Sequence, residues 1–140
     1  METIEDSSGA EFLFVCDDNA GASQMAQAFA ERSGVRATSA GKHATSVLHP
    51  NAVIAMKEVG IDISRCRPKS LTPQVIFSAT CVITIGCSFE NVCPQSMQLQ
   101  MREKTIHWDW KGLGRRNIDG EREIRDEIRR RVEGLLIEAR

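Results

Sequence analysis

Several common features are scarce or missing in this sequence. Neither sign of charge dominates, since 18 lysines and arginines face 19 aspartates and glutamates. A net charge of −1 gives no electrostatic basis for binding nucleic acid or an anionic membrane, so we expect neither partner. No apolar run approaches the roughly 18 residues of a membrane-spanning helix, and residues 1–9 are acidic and polar, unlike a signal peptide. These absences predict a cytoplasmic protein.

Cysteine is present, but its count is odd. The five cysteines lie at positions 16, 66, 81, 87 and 93. Structural disulfides are not expected in a reducing compartment, so redox-active, catalytic or metal-binding thiols become the better interpretation for some of them. Nothing in their surroundings distinguishes Cys66 and Cys81, which we interpret as small hydrophobic residues. The histidines at positions 43, 49 and 107 are scattered singly, and we interpret them as surface or helix-capping residues.

The length and the pattern of the chain predict one domain. Its 140 residues, 41% of them hydrophobic, suit a single core, which we place in residues 11–140 after a loose N-terminal leader, 1–10. The predicted strands are 12–15, 35–39, 81–85 and 105–110, and the predicted helices are 22–33, 50–59, 73–79 and 121–139. Because strands and helices alternate, we expect an α/β fold with an open, parallel, four-stranded sheet and helices on both faces.

The stretch from residue 11 to residue 25 combines a thiol with a loop that suits an anion. A short apolar run ends at Cys16, a small polar loop follows, and small or apolar residues at helical spacing begin at Ala22. A loop that leads into a helix N-terminus directs several backbone N–H groups toward one point. Because such groups stabilise a thiolate, we expect Cys16 to have a depressed pKa and to act as a nucleophile.

Two further candidates follow other predicted strands. Cys87 comes two residues after the third strand, and Asp109 lies at the end of the fourth. Ligands of open parallel sheets bind outside the carboxyl ends of the strands, so topology alone puts Cys16, Cys87 and Asp109 at one edge. The spacing of Cys87 and Cys93 does not match a zinc-binding pair, and we predict neither a metal site nor a cofactor. These two thiols can close a disulfide if their loop folds back.

Residues 16–26 resemble the phosphate-binding loop of the low-molecular-weight protein tyrosine phosphatases, and most of all that of the thioredoxin-coupled arsenate reductases. The family's loop has the form Cys-x5-Arg-Ser. The positions that match it here are Cys16, Asn19, Gly21, Ser23, Gln24 and Met25. The resemblance implies the family's fold, arsenate or a related small oxyanion as substrate, and an anion loop formed by Asp17, Asp18, Asn19, Ala20, Gly21, Ala22 and Ser23.

The segment that carries Cys87 and Cys93 resembles the part of the arsenate reductases that holds their second and third redox cysteines. The resemblance implies that Cys16 attacks arsenic and that Cys87 attacks the adduct and releases arsenite. Cys93 would then resolve the first disulfide into a Cys87–Cys93 bond, which a thioredoxin-like reductant would reduce. The alternative is that Cys87 and Cys93 are incidental loop cysteines.

Two departures from the family pattern weaken the oxyanion site. Ala22 stands where the family has arginine, and the loss of such a contact costs on the order of 3 kcal/mol in the transition state. Asp17 and Asp18 add negative charge to the loop. The Asp-Pro pair that supplies the general acid of the phosphatases is also missing; Asp109 is the candidate for that role, the alternative being a solvated loop carboxylate or a helix cap.

Three hypotheses about function follow. We favour an arsenate reductase-type enzyme with a three-cysteine relay and a weakened anion loop. The alternative is a non-catalytic relative that binds a soft ion, such as arsenite or zinc, or senses oxidation through the same thiols. A low-molecular-weight phosphatase is the third hypothesis, which the missing arginine and general acid disfavour.

Overall fold

The computed structural model describes residues 11–86, 102–109 and 117–139, which contain four strands and four α-helices. The elements are β1 (Glu11–Cys16), α1 (Ala22–Arg32), β2 (Arg36–Gly41), α2 (Pro50–Glu58), α3 (Pro73–Ser78), β3 (Cys81–Ile85), β4 (Thr105–Trp108) and α4 (Ile118–Ala139), with a 3₁₀ turn, Arg102–Lys104, before β4. The predicted leader, residues 1–10, lies outside the described residues, as do Cys87 and Cys93.

The four strands form one parallel sheet in the order β2-β1-β3-β4, which confirms the predicted fold class. Cys16 pairs with Gly41, and Ile85 pairs with Trp108, so the carboxyl ends of all four strands lie at one edge. β1 has β2 on one side and β3 on the other. The winding of the chain reverses at that point, where open α/β sheets form their ligand crevice.

Helices cover both faces of the sheet because β1 is apolar on both sides. Successive side chains of a strand point to opposite faces. Phe12 and Phe14 therefore enter a buried cluster with residues of α1, α2 and α4, whereas Leu13 and Val15 enter a second cluster that includes Ile76 of α3. Such a doubly buried strand is typical of parallel sheets.

The beginnings of the helices show which side chains serve as caps. Thr72 Oγ1 accepts a hydrogen bond from the Val75 N–H at 3.2 Å, so α3 begins as the sequence predicts. By contrast, neither Gly21 before α1 nor His49 before α2 makes a side-chain capping bond. Neither α1 nor α2 is therefore capped by the side chain that precedes it, and the imidazole of His49 contacts Asp18 instead.

Several helices and strands begin or end at residues other than the predicted ones. Helix α4 begins at Ile118 rather than at residue 121, because Asn117 Oδ1 accepts a bond from the Gly120 N–H at 2.8 Å and extends the helix by a turn. Strand β2 covers 36–41 rather than 35–39, since its pairing with β1 runs from Arg36 opposite Glu11 to Gly41 opposite Cys16. Strand β4 ends at residue 108 rather than 110.

Within the described residues, no helix has both the length and the apolar character needed to cross a membrane.

Candidate functional site

The sulfur of Cys16 lies at the carboxyl end of β1, against the first turn of α1. Its residue is only 6% exposed. The Asn19 N–H donates a hydrogen bond to Cys16 Sγ at 3.2 Å, and the hydroxyl of Ser23 lies 2.9 Å from the same sulfur. The thiol is thus held by a loop amide and by a hydroxyl from the first turn of the helix. Both groups can stabilise a thiolate at this position.

The loop is fixed by a buried polar network centred on Asn19. This residue has a φ of 54°, a left-handed conformation that asparagine tolerates better than most residues. Its Nδ2 donates to Ser23 Oγ at 2.8 Å, while its Oδ1 accepts from Gln24 Nε2 at 3.0 Å and from the Lys69 N–H at 2.7 Å. Gln24 Nε2 also donates to the Arg67 carbonyl at 3.0 Å. The loop is therefore tied to residues 67–69.

Gly41 allows this loop to pack against the end of β2. A Cβ atom at this position would lie 2.8 Å from both the Asn19 nitrogen and the Asp18 carbonyl carbon. Both are backbone atoms that a side-chain movement cannot displace. The sequence therefore needs glycine here for a close approach of two backbones rather than for a turn.

The pKa of the Cys16 thiol is raised, so the predicted depression is wrong. Burial is the largest cause, and the charge of Asp18 adds to it, while hydrogen bonds from Ser23 and from the Asn19 N–H lower the pKa and only partly compensate. The loop pattern identified the stabilising N–H groups but could not reveal the depth of burial. Burial and the nearby carboxylate therefore favour the protonated thiol of Cys16 over the thiolate.

The two loop aspartates point in different directions. The side chain of Asp17 is 73% exposed and lies 3.2 Å from His43 Nδ1. The side chain of Asp18 is 22% exposed and turns inward, where its Oδ1 accepts the Ala20 N–H at 3.0 Å and lies 3.7 Å from Cys16 Sγ. Negative charge is therefore placed beside the thiol.

His49 belongs to the site, although its sequence context did not indicate it. Its Nε2 lies 3.0 Å from Asp18 Oδ2, and its backbone N–H donates to the Ala20 carbonyl at 2.9 Å. A Cβ atom on Gly21 would approach within 3.1 Å of the imidazole Cδ2, so glycine leaves room for the ring. The contact joins residues 31 apart in the chain, and no local pattern predicts it.

The remaining candidates lie around this centre or outside the described residues. Ala22 is the first residue of α1 and contributes only a methyl group. Asp109 is exposed just after β4, and its carbonyl accepts a bond from Arg131 Nη1 at 3.0 Å. Gly86, the last described residue before Cys87, donates its N–H to the Trp108 carbonyl at the same sheet edge, at 3.2 Å.

The other described thiols are not part of the loop. Cys81 is half-buried in β3, whereas Cys66 is exposed, so its interpretation as a small hydrophobic residue is wrong. Among residues 11–86, 102–109 and 117–139, no three or more histidine, cysteine, aspartate or glutamate side chains are arranged to hold a metal ion.

Comparisons with known proteins show which proteins have sequences similar to this chain. The family model described as low molecular weight phosphotyrosine protein phosphatase matches residues 11–139. An arsenate reductase from Brevibacillus brevis is 33% identical over 122 residues, which cover 85% of this chain and 88% of that protein.

Similar solved structures include an arsenate reductase and a phosphatase. A thioredoxin-dependent arsenate reductase from Corynebacterium glutamicum matches with a TM-score of 0.76 and 34% identity, over 92% of this chain and 61% of that one. An arginine phosphatase from Geobacillus stearothermophilus matches with a TM-score of 0.72 and 27% identity, over 92% of this chain and 94% of that one. The fold described above is therefore similar to those of both a reductase and a phosphatase.

Proposed function

Because this chain belongs to the low molecular weight phosphotyrosine protein phosphatase family, we propose that it is an arsenate reductase-type thiol oxidoreductase. The observation that carries the proposal is the position of Cys16 Sγ at the carboxyl end of β1, with the Asn19 N–H at 3.2 Å and the Ser23 hydroxyl at 2.9 Å. The arsenate reductase from Brevibacillus brevis and the thioredoxin-dependent enzyme from Corynebacterium glutamicum support arsenate as substrate and a thioredoxin-like protein as reductant.

The proposed reaction is a sequence of substitutions at arsenic and sulfur. The Cys16 thiol gives up its proton and attacks the As(V) atom of arsenate. An S–As bond forms as the bond from arsenic to one hydroxyl breaks, and this hydroxyl leaves as water with that proton. Cys87 attacks the Cys16 sulfur; the electron pair of the S–As bond goes to arsenic, which leaves as arsenite, and a Cys16–Cys87 disulfide forms. Cys93 attacks Cys87, frees the Cys16 thiolate and leaves a Cys87–Cys93 disulfide for the reductant.

Residues of the loop would act on the first of these steps. Ser23 and the Asn19 N–H stabilise the charge on Cys16 as its proton leaves, and the raised pKa of Cys16 makes that loss of a proton costly. Ala22 offers no charge to the oxyanion, so we expect weak arsenate binding and slow turnover.

The test is reduction of arsenate coupled to thioredoxin and its reductase, with arsenite measured as product. We expect Cys16→Ser, Cys87→Ser and Cys93→Ser each to abolish turnover. Cys66→Ser is the matched control, because that thiol is exposed outside the loop, and it should retain full activity. Absence of arsenite with every thiol donor, at every arsenate concentration, would overturn the proposal.

A second candidate is a non-catalytic protein that binds a soft ion through the same thiols or senses oxidation. The inward carboxylate of Asp18, 3.7 Å from Cys16 Sγ, favours it because a thiol with an acidic neighbour suits a cation better than an anion. This candidate predicts stoichiometric binding of arsenite or zinc without turnover. Affinity that survives replacement of Cys16, Cys87 and Cys93 together would contradict it.

A phosphatase is the third candidate and has the least support. The similar arginine phosphatase makes the fold compatible with this reaction. This chain, however, has no arginine at position 22 and no Asp-Pro pair, which leaves Asp109 as the candidate general acid. Hydrolysis of a phenyl phosphate ester that depends on both Cys16 and Asp109 would support it.

A further inference from the structure

The carboxylate of Asp18 lies in the loop that follows Cys16, close to the sulfur that an oxyanion substrate would have to reach. Its Oδ1 accepts the Ala20 N–H at 3.0 Å and lies 3.7 Å from Cys16 Sγ, and its Oδ2 lies 3.0 Å from His49 Nε2. One loop amide that could face a substrate oxygen is therefore already bonded to a protein carboxylate. An anion that approached Cys16 would have to displace this oxygen or accept its charge as a neighbour.

His49 holds Asp18 in this place. Its ring binds one oxygen of the carboxylate, and its backbone N–H donates to the Ala20 carbonyl at 2.9 Å, so His49 is attached to the loop at two points. The absence of a side chain on Gly21 lets the ring come this close. Ala20, Gly21 and His49 thus together hold the Asp18 side chain in its inward position.

We propose that Asp18 is the specificity-determining residue of this loop, an internal anion that selects electrophiles of low charge for reaction at Cys16 and disfavours dianions. His49 acts as the positioning residue for Asp18. The inference rests on the proposed function and deepens it, because it names the singly charged form of arsenate as the form that reaches the sulfur. A dianion, such as a phosphate ester, is disfavoured. Its geometric basis is independent of arsenate chemistry.

The charge at Asp18 also acts on the thiol itself. After burial, the nearby carboxylate is a further cause of the raised pKa of Cys16. Removal of this charge without a change of shape, as in Asp18→Asn, should therefore favour both the thiolate and an incoming anion.

The experiment compares alkylation of Cys16 by neutral iodoacetamide and by anionic iodoacetate, in the whole chain at low ionic strength, with Cys16 followed by peptide mass spectrometry. We expect Asp18→Asn to raise the ratio of the iodoacetate rate to the iodoacetamide rate about tenfold, since a full charge about 4 Å from the sulfur is removed. Asp17→Asn is the matched control. It removes the same charge from a side chain that is 73% exposed, and its ratio should change less than about twofold.

A second measurement excludes simple opening of the loop. Inorganic phosphate should slow alkylation of Cys16 in Asp18→Asn and leave the native chain unaffected at the same concentration, because a disordered loop cannot bind phosphate. An unchanged rate ratio, a fall of both rates, an equal effect of Asp17→Asn, or no protection by phosphate would each overturn the proposal. Neither measurement uses arsenate turnover, so failure of the proposed function and failure of this inference remain distinguishable.

Discussion

The substitution Ala22→Arg tests how the loop recognises an anion. Position 22 is the first residue of α1, so an arginine there would add a guanidinium group to a helix N-terminus beside Cys16. Guanidinium groups bind tetrahedral oxyanions with two parallel charge-assisted bonds. Such a contact contributes on the order of 3 kcal/mol to the transition state, or about a hundredfold in rate.

Asp18 should prevent most of this gain. Opposite charges about 4 Å apart attract by roughly 4 kcal/mol at an effective dielectric constant of ~20. Because the Asp18 side chain is 22% exposed, solvent screening lowers this attraction. Asp18 would therefore compete with the substrate for the new guanidinium. We expect about a tenfold gain in kcat/KM for arsenate from Ala22→Arg alone, and about a hundredfold gain when Asp18→Asn is added.

The assay is a double-mutant cycle, read out as kcat/KM for thioredoxin-coupled arsenate reduction and for hydrolysis of a phenyl phosphate ester. Ala22→Arg combined with Asp17→Asn is the control for net charge and should behave as Ala22→Arg alone. Equal values for Ala22→Arg with and without Asp18→Asn would refute the reasoning, because the two positions would then not interact. Equal effects of the two asparagine substitutions would refute it too, by showing that net charge alone matters.

Two further substitutions test how the loop is built, and a third tests helix α4. Ser23→Ala removes a hydrogen bond that lowers the pKa of Cys16, so the midpoint of the alkylation rate should move to higher pH and the rate at pH 8 should fall about tenfold. Gly41→Ala forces a Cβ against backbone atoms at 2.8 Å and should destabilise the protein by about 1–3 kcal/mol in urea unfolding, with loss of Cys16 reactivity. Gly134→Ala in α4, where a Cβ meets nothing within 4 Å, should instead stabilise by up to about 1 kcal/mol; a loss of stability there would show that the helix is not formed as described.

Much of the fold could be predicted because its signals are local. The continuous apolar run of β3 and the Thr72-Pro73 start of α3 each lie within a few residues of the element they define, and both predictions are confirmed. The sequence pattern places the beginning of α4 three residues late, because Asn117, which caps the helix, lies within residues 111–120, where the glycines predict a loop. Boundaries of this kind depend on one hydrogen bond rather than on periodicity.

The candidate site could be predicted only in part because its chemistry depends on distant contacts. The order of strand, loop and helix put Cys16 at the correct sheet edge. Burial of Cys16 decides that its pKa shifts upward. The segments that bury it lie far apart in the sequence. The pairing of Asp18 with His49 is likewise set by packing, so neither residue's orientation could be deduced from the loop motif.

The structure separates the residues that shape the loop from those that set its charge. Asn19, Ser23 and Gln24, which match the family's pattern, are fully or almost fully buried and hydrogen-bonded, and removal of any one would leave buried polar partners unsatisfied at a cost of about 1–3 kcal/mol. Ala22 and Asp18, which depart from the pattern, lie at less buried positions, and neither side chain takes part in the hydrogen bonds described for Asn19, Ser23 and Gln24. The loop can therefore keep its shape while its preference for an anion changes. For this reason a restored arginine is expected to act at full strength only after Asp18 has lost its charge.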